Sequence, residues 1–216
     1  MRAITSFSAV LAGCLTALLW TGNAAAKDRA PGVDDGAARK VKCNDTESVF
    51  VLTPIGENQY LSYQRVLLDA PISEVWPVLR DIERFVEAVL PDVAPTFTWL
   101  DGGGPETIPS LYQFTAGTDT LLEEIIYRSE AEHQILVRLV EPVLGMQEYY
   151  AFGDLNRACG QKTVLEYTRY LELEPGTDVE FFRALFTQEF IDIPAYFNDW
   201  RRRIRGPGRR AERARV

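Results

Sequence analysis

The sequence predicts an α+β fold in which strands and helices occupy separate stretches of the chain. Two observations predict it. The first is order: a strand hairpin, two short amphipathic helices, a run of six extended segments and one long amphipathic helix. The second is punctuation, because short β-branched and aromatic runs are broken by Gly, Pro and Asp clusters up to Pro175-Gly176, after which apolar residues recur at helical spacing. The composition suits a packed core: 46% of the 216 residues are hydrophobic and 11% aromatic, well outside the disordered class.

The chain begins with an address. Arg2 is followed by a mostly apolar run from Ala3 to Trp20 and by Ala24-Ala25-Ala26 before Lys27, the pattern of a secretory signal peptide over residues 1–26. The run is short for a membrane span. Leu11-Ala12-Gly13-Cys14 is a competing lipoprotein signal, but the apolar run continues beyond Cys14, which favours simple cleavage and a periplasmic or secreted protein. Export leaves Cys43 and Cys159. An even count in an oxidising compartment points to a disulfide between them, with two unpaired thiols as the alternative. Closing so long a loop adds about 4–5 kcal/mol on the chain-entropy model.

Residues 27–47 read as a flexible leader, with Pro31-Gly32 and Asp34-Asp35-Gly36. Ser48–Thr53 and Gln59–Leu68 flank Pro54-Ile55-Gly56-Glu57-Asn58 as a hairpin. Ser73 can cap a first helix with Ile72, Val75, Trp76 and Leu79 on one face and Pro77 in its first turn. Asp81 can cap a second, with Phe85, Val86 and Val89 inward and Pro91 as its stop. Strands are expected at Ala94–Leu100, Ser110–Thr115, Thr120–Ser129, Ile135–Val140, Gln147–Gly153 and Thr163–Glu174. Asp101-Gly102-Gly103-Gly104-Pro105 lacks the strand–helix context of a nucleotide loop and reads as a turn. Asp178 can cap a helix from Val179 to about Ile204, whose apolar face holds Phe182, Leu185, Phe186, Phe190, Ile193, Phe197 and Trp200, with a kink expected at Pro194.

Residues 67–91 carry Leu-Leu-Asp-Ala-Pro, then Val75-Trp76, then a second short helix ending Val89-Leu90-Pro91. This stretch resembles the opening of the polyketide cyclase/dehydrase and START-like superfamily (SRPBCC), and the element order resembles that superfamily through the final helix. The resemblance implies a helix-grip fold, a curved antiparallel sheet of about seven strands wrapped on the C-terminal helix, over residues 48–205. The outer hairpin arm is then an addition. It also implies an apolar ligand held between sheet and helix and no cofactor.

Several enzyme classes find no support. There is no Gly-x-Ser-x-Gly elbow, and His133, the single histidine, sits in a polar turn and reads as solvated. Two cysteines and one histidine make no zinc site. What remains is the set expected to face the cavity: Tyr112 and Phe114; Glu123, Ile125 and Tyr127; Ile135, Val137 and Leu139; Tyr150 and Phe152; Leu165, Tyr167 and Arg169; and Phe182, Phe186 and Phe190 from the helix. Glu124, Ile126 and Arg128 are assigned to solvent. Tyrosines joining an apolar body to a polar tip suit an amphiphile. Glu123 and Arg169 are the unusual members, since buried charges are costly unless paired. If they face inward, they form a salt bridge, a head-group anchor or an acid/base pair.

Net charge is −8, yet residues 201–216 hold eight arginines and one glutamate. The segment 206–216 reads as a disordered basic tail that either folds back on the acidic body or meets anionic lipid headgroups. An acidic exported body argues against nucleic acid. The leading expectation is a non-catalytic carrier of a lipid or other hydrophobic small molecule. The alternatives are a cyclase- or dehydratase-like enzyme using Glu123 and Arg169, and an interaction module with a filled core.

Overall fold

The expected hairpin forms from β1 (Val49–Gly56) and β2 (Gln59–Leu68), turning through Asn58 in the left-handed region at φ 57°. It opens a computed structural model that describes residues 47–205, which lie within one of the two units of the chain, Gly36–Val216. The signal peptide, Cys14, Cys43, nearly all of the leader and the 206–216 tail lie outside the described residues. Cys159 is disulfide-bonded; Cys43, its expected partner, is outside them.

Helix α1 (Ile72–Leu79) buries Ile72, Val75, Trp76, Val78 and Leu79. Its N-cap is Pro71 rather than Ser73, because the Pro71 carbonyl already accepts the Glu74 and Val75 N–H groups at 2.9 and 3.2 Å. Pro77 therefore lies deeper in the helix than the first turn. Asp81 does hold the N-cap position of α2 (Ile82–Val89), and its carbonyl accepts the Phe85 N–H at 3.0 Å.

The strand expected over 94–100 is a 3-10 turn at Ala94–Thr96 followed by a two-residue β3 (Thr98–Trp99). Pro95 explains the difference: its locked φ suits the start of a helical turn and it has no N–H for a ladder. Thr96 reinforces the turn, its hydroxyl donating to the Val93 carbonyl at 2.7 Å and accepting the Thr115 N–H at 2.8 Å.

The chain then runs through β4 (Ser110–Ala116), β5 (Asp119–Ser129), β6 (Gln134–Leu139), β7 (Met146–Ala158) and β8 (Lys162–Leu173). All eight strands form one antiparallel sheet in the order β1-β2-β8-β7-β6-β5-β4-β3. About seven were expected; the outer arm β1 joins the sheet as a full member. Two bulges interrupt the ladders, between Ile125 and Tyr127 where β5 meets β6, and between Met146 and Glu148 where β7 meets β8. Each sets two residues against one, which reverses the face of every side chain beyond it.

Helix α3 (Val179–Arg205) begins where expected. The Asp178 carboxylate accepts the Glu180 N–H at 3.0 Å, an N-cap bond. Asp178→Ala is expected to lower stability by about 1 kcal/mol, read from urea denaturation; an unchanged midpoint would mean the cap contributes nothing. The helix continues through Pro194. It packs on β1, β2 and α2, burying Phe182, Phe186, Ile193 and Phe197. Gln64 ties it to the sheet, donating from Nε2 to the Phe186 carbonyl at 2.6 Å. Among the described residues no helix is long and apolar enough to cross a membrane.

Candidate functional site

Between one face of the sheet and helices α2 and α3 lies a cavity of about 140 Å³. Its walls are mostly apolar: Phe85, Val86 and Val89 from α2, Phe114, Val137 and Ala151 from the strands, and Phe182 and Phe186 from α3. On the same face, Gly153 lies opposite Tyr167. A Cβ there would sit 3.3 Å from Ile135 and 3.4 Å from Leu79, so glycine lets α1 close on the sheet.

The polar groups of the cavity are Tyr112, Glu123, Tyr149, Tyr167 and Glu189. Tyr112 and Glu123 are register partners on β4 and β5, and the Tyr112 hydroxyl donates to Glu123 Oε2 at 2.5 Å. Burial pushes the Glu123 carboxyl up to about 7; the bond from Tyr112 and the charge of Arg169 pull it down, and Glu189 adds to the rise. Burial and the neighbouring Glu123 hold the Tyr112 phenol well above its usual range. Tyr149 is likewise held high by burial and Tyr167, and burial takes Tyr167 to about 12. These tyrosines are neutral donors throughout the physiological range.

Arg169, 1% exposed, lies behind this wall. Its guanidinium carbon is 3.9 Å from the Tyr167 ring centroid and 4.4 Å from that of Phe186, an aromatic sandwich suited to a cation. Arg169 Nη2 is ion-paired and hydrogen-bonded to Glu189, and Nε donates to the Tyr149 hydroxyl at 3.3 Å. Burial works against the Arg169 charge, but Glu189 and the two tyrosines outweigh it and raise its pKa. Burial pushes the Glu189 carboxyl up while Arg169 pulls it back. Arg169 Nη1, Ser62 Oγ and Gln64 Oε1 are buried without a hydrogen-bond partner.

Of the expected site residues, Tyr112, Phe114, Glu123, Val137, Tyr167, Phe182 and Phe186 line the cavity. Ile125 is fully buried in the core beside it, and Leu139 packs half-buried against that core. Phe190 meets the ring of Phe50 at 6.2 Å instead of the cavity.

Four assignments are corrected, those of Tyr127 and Arg128 by a bulge. Tyr127 is 41% exposed, because the bulge pairs it with outward Leu136 instead of inward Ile135. The same reversal turns Arg128 towards Ile135, leaving its side chain 8% exposed, bonded to Glu130 at 3.0 Å. Tyr150 lies opposite Tyr170 on the outer face, and Tyr149 and Ala151 take the inner one. Phe152, which shares the Tyr150 parity, is half-buried on that outer face. Of the three roles left open for Glu123 and Arg169, the mutual salt bridge is not formed: Arg169 pairs with Glu189, and Glu123 with Tyr112. His133 is not simply solvated, since its ring meets Trp76 edge-on at 5.4 Å, and burial and Arg157 lower its pKa.

Glu189 was missed by the sequence reading although a signal for it exists. It falls between Phe186 and Ile193 at the spacing of the buried seam Phe182, Phe186, Ile193 and Phe197. A carboxylate in such a seam needs a buried cation. Tyr149 carried no comparable signal, since Tyr149 and Tyr150 are adjacent and equally apt. Among the described residues no cluster of His, Cys, Asp and Glu could hold a metal ion.

An antiparallel sheet and a C-terminal helix enclosing an apolar cavity with one buried polar cluster define the class of this protein. Solved structures share that fold. A protein of Nitrosospira multiformis aligns at TM-score 0.53 and 22% identity, over 66% of this chain and 99% of its own. One from Thermobifida fusca aligns at 0.54 and 19%, over 63% and 92%. XoxI of Bacillus cereus aligns at 0.55 and 12%, over 66% and 98%. The chain matches no protein-family profile and no curated protein sequence.

Proposed function

We propose that this chain is an exported START-like protein of the helix-grip type that holds a small hydrophobic molecule in the cavity under α3. One observation carries the reading: the cavity of about 140 Å³ is apolar on most sides and gathers its polar groups into one cluster. Ligand sites have this make-up, with few polar groups orienting a mostly apolar guest. The volume is near that of an engineered 150 Å³ cavity that takes up benzene, so the guest is one ring or one end of a longer chain. Burying about 150 Å² of such a ring gains about 4 kcal/mol gross, only a millimolar constant. Useful affinity must then draw on Glu123 and its neighbours. The signal-like residues 1–26 support export, and the arginines of 201–216 support docking of such a carrier on an anionic membrane.

Native mass spectrometry of protein purified from its native host, followed by organic extraction, tests this. Expected are adducts of low mass that extract into solvent, and their loss in Ala151→Leu, which fills the cavity from β7. A clean apo mass after incubation with host lipid and metabolite extracts would overturn the carrier reading.

A second reading is an acid/base enzyme of the cyclase or dehydratase kind. The carboxyl of Glu123, held at about 7 beside the Tyr112 hydroxyl, favours it, because such a group is poised to exchange protons near neutrality. Extracted ligand recovered as a mixture of substrate and product would decide for it.

A further inference from the structure

We propose that the ligand is a small apolar amine, bound as its ammonium ion against Glu123 among Tyr112, Tyr149 and Tyr167. The inference rests on the ligand-binding reading above and names its chemical class. Two carboxyls, Glu123 and Glu189, line the cavity, whereas the guanidinium of Arg169 does not. That guanidinium is ion-paired to Glu189 and covered by the Tyr167 and Phe186 rings. Glu123, 8% exposed, receives its hydrogen bond from an uncharged donor, Tyr112. Among the described residues no cation lies within ion-pair distance of it. An ammonium ion from the ligand supplies the missing charge.

The surroundings suit that ion. Ammonium N–H groups find a carboxylate and tyrosine oxygens as acceptors, and the aromatic walls add cation–π attraction. The sandwich around Arg169 shows that this cluster already stabilises one cation. Because Arg169 already neutralises Glu189, an anionic ligand would add a second uncompensated negative charge beside Glu123. A neutral one would gain little beyond apolar burial and would leave Glu123 desolvated.

The binding is coupled to protons. The groups facing Glu123 are Tyr112 on β4, Tyr149 on β7, Tyr167 and Arg169 on β8 and Glu189 on α3. The three phenols titrate far above neutrality and Arg169 keeps its charge. Glu123 loses its proton near 7, and Glu189, also raised, titrates in the same sense. Amine affinity should therefore rise with pH through neutrality.

Isothermal titration calorimetry of the purified full chain with four one-ring probes tests the proposal. Benzylamine, benzyl alcohol, toluene and benzoate share a shape and differ in charge. At pH 8 benzylamine is expected to bind at least about tenfold more tightly than benzyl alcohol or toluene, with benzoate undetected. That preference should shrink below pH 6, and Glu123→Gln should abolish it while toluene still binds. Toluene or benzyl alcohol binding as well as benzylamine would overturn the amine inference and leave a ligand cavity standing. Benzoate binding tightest would overturn it in favour of Arg169 as anchor. No binding by any probe would overturn both this inference and the reading on which it rests.

Discussion

Arg169→Met is expected to destabilise the protein by about 3–5 kcal/mol near neutral pH, the usual consequence of removing one partner from a buried ion pair. Glu189, 7% exposed, would be left in the core without its guanidinium. Methionine keeps much of the apolar stem, so lost packing between Tyr167 and Phe186 is the smaller part of the effect. The loss should be greater at pH 8 than at pH 5, where Glu189 can take up a proton instead of remaining charged. The double variant Arg169→Met, Glu189→Met should recover most of it, since an apolar pair of similar volume leaves no orphaned charge. Urea denaturation followed by near-ultraviolet circular dichroism reads both. A cost below about 1 kcal/mol for the single variant would show that water reaches this pair.

Glu123→Gln is expected to act with the opposite sign. The folded protein holds this carboxyl at about 7 against an ordinary 4.5. The protonated form therefore favours folding: its contribution is complete below about pH 4.5 and is lost as pH rises through 7. The gap corresponds to about 3 kcal/mol. Glutamine keeps the shape and cannot ionise, so at pH 8 the variant should be more stable than the natural protein by up to that amount. Near pH 4.5 the two should agree. Burial and Glu172 take Glu148 to about 7 as well, and Glu189 is raised too, so a shallower slope of the same sign should survive in the variant. Denaturation midpoints from pH 4.5 to 8.5 decide the matter. A variant whose profile parallels the natural one would show that Glu123 is solvated or already paired.

How far the site could be read in advance depended on the physics of each element. The face of α3 was legible because one helical period runs through Phe182, Phe186, Ile193 and Phe197, and a side chain cannot leave its face without breaking the helix. Glu189 stands in that seam and needed only the question of what would neutralise it. On the strands, apolar alternation identified Val137, and Tyr112 with Phe114. It failed at Tyr127 because that residue lies just beyond a bulge, and at Tyr150 because Tyr149 beside it is equally apt to face inward. A bulge is a property of the paired ladder, and nothing within one strand's own composition announces it. Pro95 could have cautioned against a strand over 94–100, since a ladder needs the donor that proline lacks.

The amino-acid sequence by itself determined the order of elements, the apolar stripe of α3 and its Asp178 cap. Those follow from local periodicity, capping chemistry and side-chain type, which act over a few residues. Tertiary structure alone decided which charges meet. Arg169 pairs with Glu189 from the helix, while Glu123 takes a neutral phenol from the next strand. Pairing depends on register across the sheet and on where α3 lies over it, distances set by the packed whole. The cavity has the same origin, as the volume left when bulged strands, Gly153 and two helices close on one another.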